Sequence, residues 1–206
     1  MKICIIGSGH IGAGLARAWA GKGHSVVFGA RSPDKPELVE LCRSIGASAA
    51  TIPAGVGDAE VVVIAVPFAA LDEVLASAGD LAGTIVVDCT NAVQQGMTLK
   101  YGHTTSAAEE LQARLPAARV FKSFNAQGAE NLAEPVYDDV RASNFFCGDD
   151  AAGRVVLQKL VEDVGFEAID AGPLKNARLL EPMMLLWVSC AKSLGTRDIA
   201  FKLLRR

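Results

Sequence analysis

The chain has 206 residues, of which half are hydrophobic and 21% are charged, and its net charge is −3. This composition predicts one well-filled domain with a small appendage, and it offers no basic face for nucleic acid. The longest apolar run, 61–71, contains a proline and is too short to span a membrane. The five cysteines are scattered along the chain, so we expect reduced thiols, as in cytosolic proteins. The N-terminus is itself the first predicted strand, with no removable leader ahead of it, so we expect a cytoplasmic location.

The first thirty residues or so predict a nucleotide-binding βαβ unit. Lys2–Ile6 is a continuous apolar run typical of a strand buried on both faces, and Ser25–Phe28 is a second such run. Between them, Gly7, Gly9 and Gly12 form a G-x-G-x-x-G pattern at the start of residues with helical spacing. In such a turn the first glycine permits the sharp bend, the second lets a pyrophosphate approach, and the third lets helix and strand pack closely. The alternative is a glycine-rich turn without a ligand.

The stretch GARSPDK, residues 29–35, follows the second strand and bears on which cofactor binds. An NAD site usually carries a carboxylate here for the ribose 2′-hydroxyl, whereas this chain has Arg31 and Ser32, with no carboxylate before Asp34. A guanidinium can hold a 2′-phosphate through charge-assisted hydrogen bonds, and Lys35 adds positive charge. We therefore predict selectivity for NADP. If Arg31 only stacks on adenine or points to solvent, NAD is the alternative.

Helical and strand-like runs alternate along the rest of the chain, which predicts an α/β fold: a Rossmann-type, doubly wound, mainly parallel sheet. We assign residues 1–173 to an NADP-binding domain and 174–206 to a short, mostly helical C-terminal extension. The predicted helices are 37–45, 68–78, 105–114 and 151–164, and the predicted strands are 47–51, 61–65, 84–88, 119–123, 144–147 and 167–170.

Ligands on such sheets lie beyond the carboxyl ends of the strands. Candidate cofactor contacts there, besides the glycine turn, are Val66, Pro67, Phe68, Asn91, Asn125 and Ala126. Proline would hold its loop in a fixed shape beneath the ribose or nicotinamide, and the asparagines would bond the carboxamide, unless they serve turn chemistry instead. Lys122 is interpreted as a solvated cation in a strand, and His103 as an exposed loop residue. No catalytic acid or base and no metal site is assigned.

The C-terminal extension is unusually apolar and predicts self-association. Leu179, Leu180, Met183, Met184, Leu186, Trp187 and Val188 leave little polar surface on the predicted helix. We therefore expect a homodimer, with these helices packed across a two-fold axis and the segment after Thr196 reaching the partner to help wall its acceptor pocket. The alternative is that the helix fills the core of its own chain.

The chain resembles a known family over Lys2–Leu204. The matching segments are IIGSGHIGAGLARAWAGKGHSVVFGARS, VVVIAVPF, FFCGDD and GFEAIDAGPLKNARLLEPM. They are similar to the NADPH-dependent reductases of the deazaflavin coenzyme F420 and to the cytosolic domain of the six-transmembrane ferric reductases. The resemblance implies that Ser8, His10 and Ile11 surround the pyrophosphate, that Arg31 and Ser32 bind the 2′-phosphate, and that Pro67 lies near the nicotinamide. The segment SFNAQGAENLAEP is closer to the ferric-reductase type.

The function that the resemblance implies is hydride transfer between NADPH and a flavin-like acceptor, either coenzyme F420 or a flavin. Such a transfer depends on stacking and distance more than on an acid or base. Two alternatives remain. One is an NADPH-dependent reductase of a small carbonyl or imine substrate, a class that normally builds its pocket with a large second domain. The other is a non-catalytic NADPH-binding sensor.

Overall fold

Short apolar runs of four to six residues form an eight-stranded sheet in this computed structural model, which describes residues 1–206. The strands of the sheet are β1 (Lys2–Ile6), β2 (Ser25–Ala30), β3 (Ser48–Thr51), β4 (Val61–Ile64), β5 (Ile85–Asp88), β8 (Arg119–Ser123), β11 (Ser143–Gly148) and β12 (Glu167–Asp170). Two separate hairpins pair β6 (Val93–Gln94) with β7 (Thr98–Leu99) and β9 (Val136–Tyr137) with β10 (Val140–Arg141).

The strand order is β12-β11-β8-β5-β4-β1-β2-β3, and every pair is parallel except β8 with β11. The order reverses between β1 and β4, because β1 connects outward to β2 and β3 while β4 connects outward to β5 and β8. This reversal is where doubly wound sheets open a crevice at their carboxyl edge. The predicted Rossmann-type, mainly parallel sheet is confirmed.

Seven α-helices cover both faces of the sheet. They are α1 (His10–Gly21), α2 (Pro36–Ile45), α3 (Ile52–Gly57), α4 (Leu71–Ala78), α5 (Ala107–Arg114), α6 (Ala151–Val164) and α7 (Ala177–Leu194). Alternate residues of β1 point to opposite faces. Ile3 and Ile5 pack with the face that carries α1, α2 and α6. Cys4 and Ile6 pack with the face that carries α3, α4, α5 and α7. The result is three layers with a core on each side of the sheet.

Some elements differ from the sequence prediction, among them the two short hairpins, which were not predicted. Helix α3 was not predicted, because IPAGVG contains proline and two glycines and is only six residues long. The predicted helix 68–78 is a 3₁₀ turn over Phe68–Ala70 followed by α4. The final helix ends at Leu194, since Gly195 takes the left-handed conformation, with φ of +68°, that commonly closes helices. The predicted short C-terminal helical extension is confirmed, and residues 195–206 form no helix.

The residues after Thr196 fold back on their own chain. The Ile199 carbonyl accepts hydrogen bonds from the Trp187 indole (2.9 Å) and the Asn131 amide (2.8 Å). Further along, the Ser143 backbone N–H donates to the Phe201 carbonyl at 2.9 Å. These residues therefore pack on their own chain, and that they also reach a partner subunit stays a prediction. None of the helices has both the length and the apolar content that crossing a bilayer requires.

Candidate active site

Two adjoining cavities form one groove along the carboxyl ends of β1, β2, β4 and β5. The first has a volume of about 570 Å³ and the second about 520 Å³, and the two share Gly9, Ala65, Val66 and Pro67 in their walls. The first also contains Ser8, Arg31, Ser32 and Lys35, and the second contains His10, Ile11, Phe68 and Asn91. Because the groove lies at the β1/β4 reversal, its position is the one expected for an extended dinucleotide.

The glycine turn between β1 and α1 explains why three glycines are needed there. Gly7 has a φ of +114°, and a Cβ on it would clash with the Ala65 carbonyl at the end of β4. A Cβ on Gly12 would clash with the Gly7 carbonyl, so α1 could not pack against the turn. A Cβ on Gly9, by contrast, would meet no protein atom within 4 Å and would project into open space. Gly7 and Gly12 thus serve the fold, whereas Gly9 leaves room at the groove for a ligand.

The N-terminus of α1 faces this groove with unpaired backbone donors. The first N–H groups of a helix have no intrahelical acceptor, and here Gly9 at the N-cap supplies no side chain to satisfy them. No acidic residue occupies the first turn of α1 either. The helix dipole and these N–H groups therefore suit an anion such as a pyrophosphate.

The groove ends beyond β2 at a positively charged rim. Arg31, Ser32 and Lys35 lie together there, as the sequence predicted from their position after the second strand. The Arg31 guanidinium forms an ion pair with Glu73 of α4, in which Arg31 Nη1 lies 3.1 and 3.2 Å from the two carboxylate oxygens. The Arg31 side chain is 75% exposed. A phosphate bound at this rim would compete with Glu73 for Arg31.

The opposite end of the groove has mostly apolar walls. Ile11, Val66, Pro67, Phe68 and Val93 line it, together with His10 and the 89–91 loop after β5. Pro67, with φ of −55°, precedes the 3₁₀ turn and fixes the direction of the loop after β4. This end therefore has apolar surroundings that would suit a nicotinamide ring.

The two candidate asparagines are bonded to one another and to α7. Asn91 Nδ2 donates to the Asn125 carbonyl (2.9 Å), and Asn125 Nδ2 donates to Asn91 Oδ1 (3.0 Å) and to the Leu180 carbonyl (2.9 Å). Asn91 lines the groove, but Asn125 and Ala126 are not among the residues of its two cavities. The Asn125 amide thus joins the loops after β5 and β8 to α7, which favours the structural interpretation for this residue.

A buried ion cluster beneath the groove was missed by the sequence interpretation. Lys122 Nζ lies 2.9 Å from Asp88 Oδ2 and 3.0 Å from Glu181 Oε1, and all three side chains are completely buried. The view of Lys122 as a solvated cation is therefore wrong. Burial lowers the pKa of Lys122, but the two carboxylates outweigh that effect and leave the pKa raised, so the ammonium stays charged.

The second carboxylate of the cluster is neutralised in part by helix α5. Glu181 accepts hydrogen bonds from the backbone N–H groups of Ala107 (3.0 Å) and Ala108 (3.2 Å) in the first turn of α5. The sequence does place Asp88, Lys122 and Glu181 each within or beside an apolar run, and charged residues are rarely buried unless they are paired. That signal does not say which of the charges pair.

Cys89 lines the apolar end of the groove but is a poor nucleophile. Its thiol is buried, and burial together with the adjacent Asp88 carboxylate raises its pKa well above the usual range. Since the thiolate is the reactive form, this side chain stays a neutral thiol near pH 7.

A larger cavity of about 780 Å³ runs along the outer side of α1, between the 129–133 segment and the end of α6. It shares only His10 with the groove and contains ion-paired groups such as Arg197 with Glu130 (2.7 Å). The groove at the strand ends is the stronger candidate, because the glycine turn and the helix N-terminus converge on it.

Comparison with known proteins identifies the family. Residues 2–92 match the family described as NADP oxidoreductase coenzyme F420-dependent. The F420-dependent NADP reductase of Methanothermobacter thermautotrophicus is 31% identical over 92% of this chain and 88% of its own length. The chain belongs to this family. It is thus an NADP-dependent oxidoreductase, as the sequence predicted.

Other relatives agree with this membership. Metalloreductase STEAP3 of Rattus norvegicus is 32% identical over 90% of the chain, which spans only 37% of that protein's length. A crystal structure of an Arthrobacter sp. FB24 protein, described as an F420-dependent NADP-reductase, superimposes with a TM-score of 0.91 and 30% identity over the full length of both chains. A reductive aminase from Aspergillus terreus shares the fold at 23% identity, with a TM-score of 0.68, over 94% of this chain and 62% of its own.

Proposed function

We propose that this member of the F420-dependent NADP oxidoreductase family transfers hydride between NADPH and a planar, phosphate-bearing, flavin-like acceptor such as coenzyme F420 or a flavin nucleotide. NADPH, when bound, supplies the hydride. The chain binds its pyrophosphate at the turn Gly7–Gly12 and α1, its 2′-phosphate at Arg31, Ser32 and Lys35, and its nicotinamide between Ile11 and Pro67. The observation that carries the cofactor half of this proposal is the continuous groove from the basic rim to the apolar end.

An aromatic cluster with one cation stands beside the nicotinamide end and favours this class of acceptor. Phe68, in the wall of the groove, meets Tyr101 edge to face with ring centroids 5.9 Å apart. Lys100 Nζ lies 5.0 Å from the Tyr101 ring centroid and 5.8 Å from that of Phe68. Aromatic side chains offer a surface on which a planar ring system stacks, and the ammonium group attracts an anionic tail. A small neutral carbonyl or imine would use neither feature.

No side chain at this end is needed as an acid or base. Cys89 is held as a neutral thiol, and the Lys122 ammonium is enclosed by Asp88, Glu181 and the Thr90 carbonyl. The chain's contribution is to align two flat rings and exclude water, which matches what hydride transfer demands.

The test is NADPH oxidation, followed by absorbance at 340 nm, with FMN, riboflavin and coenzyme F420 as acceptors. FMN and riboflavin share the ring, and only FMN carries a phosphate. We expect Lys100→Ala to raise the KM for FMN severalfold and leave the KM for riboflavin within about twofold, since an exposed charge contributes about 1 kcal/mol or less. Bound NADPH that none of the three acceptors oxidises would contradict the proposal and favour a sensor role.

We also propose that the chain works as a homodimer joined through α7. The side of this helix that is exposed or half-buried carries apolar residues three or four apart, namely Leu179, Met183, Leu186, Cys190 and Leu194, with Ser189 and Ser193 beside them. The opposite side, including Leu180 and Trp187, is buried in the chain's own core. A self-complementary apolar stripe of this length favours a second copy across a two-fold axis.

Light scattering tests the dimer, since a monomer has a mass of 21.5 kDa. We expect twice that mass for the native chain and the monomer mass for Leu186→Glu. The matched control is Val155→Glu on α6, because Val155 is also an exposed aliphatic residue but lies outside the stripe. The exposed fraction is 70% for Val155 and 53% for Leu186. A native monomer at micromolar concentration, or a dimer that survives Leu186→Glu, would contradict this arrangement.

A further inference from the structure

The buried cluster of Asp88, Lys122 and Glu181 holds more negative than positive charge. Two carboxylates share one ammonium, so the formal charge of the cluster is −1. All four carboxylate oxygens accept hydrogen bonds from backbone N–H groups or from the ammonium. The N-terminus of α5 offsets part of the charge on Glu181, whereas Asp88 meets only the Lys122 ammonium and the Thr90 N–H. Asp88 is therefore the carboxylate whose charge is less compensated.

Asp88 lies next to the wall of the apolar end of the groove. It directly precedes residues 89–91, which line that cavity, and its Oδ1 accepts a hydrogen bond from the Thr90 N–H at 2.8 Å. Burial raises the pKa of the Cys89 thiol, the Asp88 carboxylate raises it further, and Lys122 lowers it by less. The field of the cluster at this wall is therefore negative, and because the charges are buried, salt and water screen it only weakly.

Hydride transfer changes the charge of the cofactor ring at this end of the groove. The hydride takes both electrons of its C–H bond to the acceptor ring, water supplies the proton that completes a reduced flavin, and the cofactor ring is left one unit more positive. A fixed negative charge beside a site that excludes water stabilises such a positive charge without reorganising. The cationic side chains His10 and Lys100 at the same end are exposed, so solvent screens their opposing effect.

We propose that the buried cluster, chiefly through the charge of Asp88, favours the oxidised over the reduced cofactor in the groove. The negative charge lowers the free energy of bound NADP⁺ relative to bound NADPH, and so favours transfer of the hydride from the cofactor to the acceptor. Asp88 acts through space and touches neither ring. This inference rests on the proposed placement of the nicotinamide at the apolar end of the groove.

The test is calorimetry with NADP⁺ and NADPH, which share every group except the hydride and the charge of the ring. Asp88→Asn keeps the size of the side chain and removes its charge. We expect it to raise the ratio of the Kd for NADP⁺ to the Kd for NADPH about three- to tenfold. The matched control is Asp72→Asn on α4, which removes the same charge from a carboxylate that is 87% exposed and should leave the ratio within about 1.5-fold.

A purely structural role for Asp88 would weaken both ligands alike and leave the ratio unchanged, and that result would overturn the inference. Glu181→Gln is the second variant, and its ratio should shift in the same direction by a smaller factor, because α5 offsets part of the charge it removes. Should neither variant fold, the native protein still decides: NADPH bound more than about tenfold more tightly than NADP⁺ would overturn the inference. A native protein that binds neither ligand would overturn the proposed cofactor groove itself, whereas binding of both with an unchanged ratio overturns this inference alone.

Discussion

Replacing Arg31 with alanine should remove most of the preference for NADPH over NADH. In the structure this guanidinium stands at the basic rim with Ser32 and Lys35 and pairs only with Glu73. A hydrogen bond to a charged group contributes about 1.5 to 3 kcal/mol, and 1.4 kcal/mol corresponds to a factor of ten in affinity. Because Arg31 is 75% exposed and must share its charge with Glu73, the lower end of that range applies. The expected effect is thus about tenfold.

The measurement is the dissociation constant of each cofactor by isothermal titration calorimetry. We expect the native protein to bind NADPH at least tenfold more tightly than NADH. In Arg31→Ala the NADPH affinity should fall about tenfold, while the NADH affinity stays within about twofold because NADH has no 2′-phosphate. NADH serves as the internal control, since general damage to the groove would weaken both cofactors.

Glu73→Gln provides the opposite perturbation at the same contact. The amide keeps the shape of the side chain but neither repels a phosphate nor competes for the guanidinium, so the NADPH affinity should rise by up to about fivefold. Two results would refute the reasoning: equal affinities for the two cofactors in the native protein, or an Arg31→Ala variant that retains its preference.

Two further changes test the turn and the buried cluster. Gly9→Val should abolish NADPH binding, because the new side chain would occupy the space left for the ligand. It should lower the free energy of unfolding, measured by chemical denaturation, by about 1 kcal/mol or less, since Gly9 has ordinary extended dihedral angles and a Cβ added there meets open space. Unchanged NADPH affinity in the folded variant would place the site elsewhere. Lys122→Met leaves Asp88 and Glu181 buried without their cation, so it should lower the free energy of unfolding by about 3 to 5 kcal/mol. The control is Lys2→Met, which breaks only the exposed pair with Asp58 and should lower the free energy of unfolding by about 1 kcal/mol or less. Equal effects of the two substitutions would contradict the role of the cluster.

Local patterns were sufficient for most of the groove. The glycine turn and Arg31 follow directly after a strand and Pro67 comes within three residues of one, so finding the strands from their apolar runs also placed these residues at the same edge of the sheet. Asn125 also follows a strand, β8, yet its amide is turned to α7 and not to the groove. Position after a strand therefore predicts which edge a residue occupies, but not which neighbour its side chain finds.

The buried cluster could not be assigned from local patterns because its members are far apart in sequence. Lys122 is 34 residues from Asp88, and whether a lysine in an apolar strand is solvated or buried depends on whether carboxylates reach it. The end of the final helix posed the opposite difficulty. Residues 196–206 contain no strong helix breaker, yet Gly195 closes α7, and hydrogen bonds then join Ile199 to Trp187 and Asn131, and Phe201 to Ser143 of β11.

The two faces of α7 connect the nicotinamide end of the groove with the surface proposed for assembly. Leu180 and Glu181 face inward, where the Leu180 carbonyl holds Asn125 and the Glu181 carboxylate holds Lys122, which in turn holds Thr90. Leu179, next to that pair, is exposed and belongs to the apolar stripe proposed for self-association, while Met183 is half-buried against the core. One turn of helix therefore fixes the loops beneath the apolar end of the groove and carries part of the proposed contact surface. If a second copy binds along the stripe, as we propose, it restrains the same turn, and assembly is then coupled to the geometry of the groove.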